Sequence, residues 1–275
     1  MNDCSTRYPI MLIHGTGSRD FKHIRYWGRI PQILRNHGAN VCFGGQDGWG
    51  TFEENARQIK ASIEQVLKET GCGKLHLIAH SKGGLDARYL ISSLGMAEYV
   101  CSLTTISTPH HGSRTIDWLC GVPEILFRFA AVFVNFWYRR LGDKHPDFYA
   151  VSRSFSTRAM EDFNVHNPDM PGVLYQSYAG NMPHCRADLM MLIPFLVIRR
   201  FDGANDGLVS VESAKWGDFR GVLLPAGRRG ISHMDEIDIR RRPLLKSVRH
   251  VEREGIRDIS DVYVCIVKEL KERGL

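Results

Sequence analysis

Lys74-Leu75-His76-Leu77-Ile78-Ala79-His80-Ser81-Lys82-Gly83-Gly84-Leu85-Asp86-Ala87-Arg88-Tyr89 is the stretch whose reading decides the fold. Lys74 to Ala79 is a short apolar run after a glycine break at Gly71 and Gly73, which predicts a buried strand. From Gly83 to Leu94 the apolar spacing is helical. Ser81 therefore stands at a strand-to-helix turn, with Ala79 and Gly83 two positions to either side. Such a turn is tight and needs small residues there; it lifts the serine hydroxyl off the end of the sheet. It also aims the unpaired N–H groups of the helix start at developing negative charge. The plainer alternative is a helix-capping serine with no chemistry.

Outward from this point the chain alternates between strand and helix patterns. Tyr8 to Ile13 reads as a buried strand and is followed by the loop His14-Gly15-Thr16-Gly17. Trp27 to His37 is helical in spacing, Val41 to Phe43 is a short strand, and Thr51 with Glu54 forms a capping box opening a helix to about Glu69. Leu103 to Ser107 and Val173 to Ala179 predict further strands, Val222 to Leu224 the last one, and Ile259 to Lys271 a closing amphipathic helix. The alternation predicts an α/β domain over 1–275, its sheet mostly parallel and covered by helices on both faces. A length of 275 residues and a 43% hydrophobic content suit one such domain with room for an insertion.

The net charge is +6, with the basic residues dispersed apart from Arg240, Arg241 and Arg242. This reads as a solvated surface, and no nucleic-acid-binding module is present in the sequence. The seven cysteines are odd in number and form no CxxC pair. A reduced, cytosolic setting is the simpler expectation, with secretion open if a leader has been trimmed.

Several segments together resemble the bacterial triacylglycerol lipase family of the α/β-hydrolase superfamily. They are Tyr8-Pro9-Ile10-Met11-Leu12-Ile13-His14-Gly15, His80-Ser81-Lys82-Gly83-Gly84-Leu85-Asp86-Ala87-Arg88-Tyr89, Ser107-Thr108-Pro109-His110-His111-Gly112-Ser113, Asn205-Asp206-Gly207-Leu208-Val209-Ser210 and His233-Met234-Asp235-Glu236. Their order is the family's order. One departure is Lys82, where the family more often has Met, His or Gln; only the backbone N–H of that residue is used. The resemblance implies an α/β-hydrolase fold with a helical cap, and a serine hydrolase acting on carboxylic esters of lipids.

A serine hydroxyl needs a base, and in this fold the partners follow in the order Ser, acid, His. Asp206 is the expected acid, in an Asn- and Gly-rich loop, with Asp202 as its rival. His233 is the expected base, in a loop after the last predicted strand. His14, His80, His110 and His111 read as structural. The backbone N–H groups of Thr16 and Lys82 are the expected oxyanion donors. No cofactor is required by this chemistry. The family resemblance adds a possible structural calcium, with Asp235 as one ligand and Asp188 as the other carboxylate.

Ile116 to Tyr138 is rich in Leu, Phe, Val and Trp, and Leu189 to Ile198 is a second apolar run broken by Pro194. Glu124 and Arg128 lie inside the first run, which argues against a transmembrane span. Both runs read as cap insertions, over 114–172 and 184–201, with Trp118, Phe133 and Trp137 as candidate substrate-contacting residues. An amphipathic cap of this kind suits a lipid–water interface. The alternatives left open are a carboxylesterase or acyltransferase for small soluble acyl substrates, and a catalytically idle binding protein on the same fold.

Overall fold

The computed structural model describes residues 3–17, 26–121, 123–244 and 255–275. Six strands form one all-parallel sheet: β1 (Ile10–Ile13), β2 (Val41–Phe43), β3 (Leu75–His80), β4 (Val100–Ile106), β5 (Leu174–Ala179) and β6 (Asp218–Val222). Their order is β2-β1-β3-β4-β5-β6. Ile10 and Leu12 of β1 enter one core with α1 (Ile30–Asn36) and α9 (Ile259–Glu272). Met11 and Ile13 of the same strand enter the opposite core with α2 (Phe52–Thr70) and α3 (Gly83–Ser92). Successive side chains of a strand point to opposite faces, so continuous apolar runs are what a sheet covered on both sides requires.

The Thr51 hydroxyl accepts the Glu54 N–H at the start of α2, as its capping box predicts, and Gly71 closes the helix at φ +68°. α1 starts at Ile30, three residues later than the apolar spacing suggests, because Pro31 occupies its first turn, where no N–H is needed. The last strand is Asp218–Val222 and not Val222 to Leu224. Its ladder to β5 is made by Asp218, Phe219 and Val222, while Leu224 is 57% exposed. The expected segment meets the strand only at its end, where Val222 is in the ladder and the Leu223 N–H bonds the Ala179 carbonyl at 2.8 Å.

Between β4 and β5 lie α4 (Arg114–Leu119), α5 (Glu124–Arg140), α6 (Phe148–Ser154) and α7 (Thr157–His166). The long apolar run is thus split into two helices, with a turn at Gly121 and Pro123 capping the second. Between β5 and β6 lies α8 (Leu192–Phe201), preceded by two short 3-10 turns. Pro194 does not break this run: it sits in the first turn of α8, where a proline is tolerated. The rings of Trp118 and Phe201 stack with centroids 6.2 Å apart, joining the two excursions. No helix among the described residues is long and apolar enough to cross a membrane.

Candidate active site

β3 ends at His80 and α3 begins at Gly83, leaving Ser81 in the turn with φ +55°. A non-glycine residue at positive φ is strained and is held only by its surroundings. The Ser81 N–H donates to the Ile106 carbonyl at 3.0 Å, and the Thr108 hydroxyl donates to the Ser81 carbonyl at 2.7 Å. Two glycines make the close approach possible. A Cβ on Gly83 would stand 2.5 Å from the His14 carbonyl oxygen, and one on Gly15 would stand 2.7 Å from the Ser81 Cβ.

The loop carrying His233 returns over the sheet end. His233 Nδ1 lies 2.7 Å from Asp206 Oδ2, and the His233 N–H donates to the Asp206 carbonyl at 2.9 Å. The other oxygen of Asp206 accepts the N–H groups of Leu208 and Val209 at 2.8 and 2.7 Å. Burial alone would raise the Asp206 pKa, but His233 and these donors outweigh it and hold the carboxylate below its usual range. Asp202, the sequence rival, lies elsewhere. It accepts from the Ser113 hydroxyl at 2.9 Å and the Arg114 N–H at 3.1 Å, and so caps α4. The His233 ring packs on that of His80, the residue before Ser81, with centroids 4.3 Å apart.

Around this pair the structure assembles a buried polar chain that the sequence reading missed. The Gly15 N–H donates to the Tyr26 hydroxyl at 2.9 Å, and that hydroxyl lies 2.6 Å from His80 Nδ1. His80 Nε2 lies 2.9 Å from Glu236, which also accepts the Ser107 hydroxyl at 2.7 Å. Burial drives the His80 pKa far down, helped by His233, and drives the Glu236 pKa far up, helped by the Asp206 charge. Both shifts favour the uncharged forms, and the hydrogen bonds run without a break from the Gly15 N–H through Tyr26 and His80 to Glu236. His80, His233 and Glu236 also have the composition of a metal-ligand cluster. The hydrogen bonds of this chain account for both ring nitrogens of His80 and both oxygens of Glu236, and His233 Nδ1 is held by Asp206.

The Thr16 and Lys82 N–H groups have no hydrogen-bond partner among the described residues. The Lys82 side chain is not at the surface as a loop lysine would be. It is buried, 2.5 Å from Asp86 and over the ring of Phe52 at 5.1 Å. Burial lowers the Lys82 pKa and raises that of Asp86 to about 6. The i,i+4 spacing of Lys82 and Asp86 was the available signal. His110, expected to be structural, is bonded to Thr105 at 3.0 Å and stacked on Trp216.

Asp188 and Asp235 come together, but around arginines. Arg240 places one nitrogen 2.6 Å from Asp188 and the other 2.7 Å from Asp235, and Arg229 bonds the second oxygen of Asp235. The remaining Asp188 oxygen accepts the Met190 N–H at 3.1 Å. Calcium needs about six to eight oxygen ligands with free lone pairs. These carboxylate oxygens already face donors, so the residues do not fit the ion.

Trp118, Phe133 and Trp137 are exposed, as are Ile125, Phe129, Val132 and Phe136 along α5. The C-terminal end of α5 is tied down: the Tyr138 hydroxyl donates to the Gly17 carbonyl, next to Thr16. A polar cleft of about 660 Å³, lined by His111, Arg114, Glu161, Asp202 and Lys215, includes none of Ser81, Asp206 and His233.

Over 98% of both chains the sequence is 34% identical to a triacylglycerol lipase of Pseudomonas fragi. The chain belongs to the lipase family of the α/β-hydrolase superfamily. Residues 9–155, more than half of this lipase-family chain, match the family model described as palmitoyl protein thioesterase, so it belongs to that family as well. It is 33% identical to triacylglycerol lipase 2 of Saccharomyces cerevisiae over 78% of its own length and 63% of that protein's. Against further triacylglycerol lipases it spans about half of their length. Among solved structures, the fold is similar to Staphylococcus hyicus lipase, with a TM-score of 0.70 over 98% of each chain at 16% identity.

Proposed function

We propose that the chain is a serine hydrolase that cleaves carboxylic esters of lipids through an acyl-enzyme. The observation that carries this reading is the 2.7 Å bond from His233 to Asp206, set beside a serine held at φ +55° on the elbow of β3 and α3. In this reading Ser81 is the nucleophile. Its oxygen attacks the ester carbonyl while its proton passes to Nε2 of His233. Asp206 fixes the imidazole tautomer and stabilises the positive charge that forms. The Thr16 and Lys82 N–H groups receive the oxyanion. The His233 proton leaves with the alcohol, and water then repeats the sequence on the acyl-enzyme. The chemistry runs on the chain's own residues and requires no cofactor.

The curated relatives support lipid esters as the substrate class, and so does α5. Its Phe129, Val132, Phe133, Phe136 and Trp137 stand out from the surface, with Arg139 and Arg140 at its end. In this reading 114–172 and 184–201 are cap insertions, and the exposed α5 face meets the lipid–water interface, its cations meeting anionic head groups. The family match over residues 9–155 favours one second reading, an acyl thioester of a protein as substrate. Ser81 would attack its carbonyl by the same steps.

The test is purified Ser81→Ala assayed on short soluble esters, long emulsified esters and a palmitoyl thioester. Hydrolysis by the wild type should fall by several orders of magnitude in the folded variant. Retained hydrolysis would refute the assignment, and preference for the thioester would move the substrate class. No hydrolysis of any member by the wild type would favour an idle binding protein.

A further inference from the structure

We infer that Arg240 is the cation that locks the His233 loop to the second insertion, in the seat where the family resemblance placed calcium. The inference rests on His233 being the base. Asp188 leads into the 3-10 turn Leu189–Met191 of the insertion, and Asp235 is two residues past His233. Both carboxylates are almost fully buried, with side-chain exposures of 1% and 4%. Ser232, the residue before His233, places its hydroxyl 2.7 Å from Asp188 and 2.9 Å from Asp235. Two buried carboxylates sharing one hydroxyl repel each other unless a cation separates them.

Arg240 supplies that cation in a form suited to the gap. One nitrogen of its guanidinium reaches Asp188 and the other reaches Asp235. A planar fork spans two acceptors at fixed separation, which the point charge of a lysine does not do. Arg229 adds a second positive charge at Asp235 and bonds the Ala187 carbonyl at 2.9 Å, again joining insertion to loop. Two carboxylates thus face two guanidiniums, and no net charge is left to attract a divalent ion. Burial pushes the Asp188 pKa up, but the Ser232 hydroxyl and the Arg240 guanidinium outweigh it and hold the carboxylate below its usual range. Ser232 and Asp235 flank His233, so fixing them fixes the imidazole in front of Asp206. Arg240 is a positioning residue, not one that touches substrate.

The test is thermal melting of wild type, Arg240→Ala, Arg240→Lys and Arg240→Ala/Asp188→Asn, each in millimolar calcium and in chelator, with hydrolysis kinetics alongside. The wild type should melt at one temperature in both. Arg240→Ala should melt lower and lose about 10- to 100-fold in kcat with little change in KM, the pattern of a displaced base. Arg240→Lys should fall short of wild type in the same direction, and it serves if the alanine variant does not fold. Adding Asp188→Asn should recover part of the lost melting temperature, because it removes the unpaired buried charge. A wild-type melting temperature raised by calcium would overturn the inference. So would Arg240→Ala melting as the wild type does, or a double variant no better than the single. Failure of the serine-hydrolase reading would show separately, as hydrolysis surviving in Ser81→Ala while the melting pattern stands.

Discussion

Replacing Lys82 by methionine tests whether the ion pair under the elbow is held for stability or for position. Both side chains of the pair are 1% exposed, so solvent does not screen the loss. Breaking a buried pair by removing one partner costs about 3–5 kcal/mol. For a chain of this size each kcal/mol moves the melting temperature by roughly 2–4 °C, so Lys82→Met should melt roughly 6–20 °C lower. The pair itself is not a gain over an apolar core. Burial raises Asp86 from 3.8 to about 6 in the folded chain. At about 1.4 kcal/mol per tenfold that carboxylate alone carries a cost of about 3 kcal/mol near neutrality. Lys82→Met/Asp86→Leu should therefore return to wild-type stability or exceed it by up to about 4 kcal/mol. The double change also removes the Asp86 acceptor of the buried Asn55 amide, 2.9 Å away, which offsets part of any gain, although that amide keeps its bond to the Asp47 carbonyl at 3.0 Å. Urea unfolding at pH 7 followed by circular dichroism gives both stabilities on one scale. A single variant as stable as wild type, or a double variant as unstable as the single, would refute the reasoning.

Asp206→Asn should lose about 10⁴-fold in kcat, the size seen when a serine protease loses its triad carboxylate, while Asp202→Asn stays within about tenfold of wild type. The reverse ranking in steady-state kinetics would make Asp202 the acid. Glu236 has a folded pKa well above 4.5, so its contribution to stability is complete below pH 4.5 and is lost as pH rises toward the folded value. Glu236→Gln cannot titrate, so its urea midpoint should decline less than the wild type's between pH 5 and 8; parallel curves would show that Glu236 is not held protonated. Activity should rise steeply when substrate passes from monomers to droplets, and Trp137 fluorescence should change on anionic vesicles. Smooth saturation through the solubility limit with no Trp137-dependent change would leave a fixed cap that only shapes an acyl pocket.

What was legible in the sequence was what is local. β3, the turn at Ser81 and α3 declare themselves within sixteen residues, because an apolar run, a small residue on each side of the serine and a change of period each have a local cause. The capping box at Thr51 is legible for the same reason. β6 was misplaced because an edge strand is defined by its partner's backbone, and Asp218 and Arg220 look like loop. Asp206 and Asp202 differ in surroundings, not in residue type, and the return of the His233 loop to Asp206 is what separates them. Glu236 is farther still: it meets Ser107 and His80 across 129 and 156 residues of sequence. Buried polar groups must be satisfied, and inside a sheet-end site their partners come from whichever loops converge there. A glutamate in a loop sequence carries no mark of that. The same argument covers Asp188 and Asp235. The family resemblance offered them as calcium ligands, but they face Arg240, which reaches Asp188 only because the chain folds back across 52 residues.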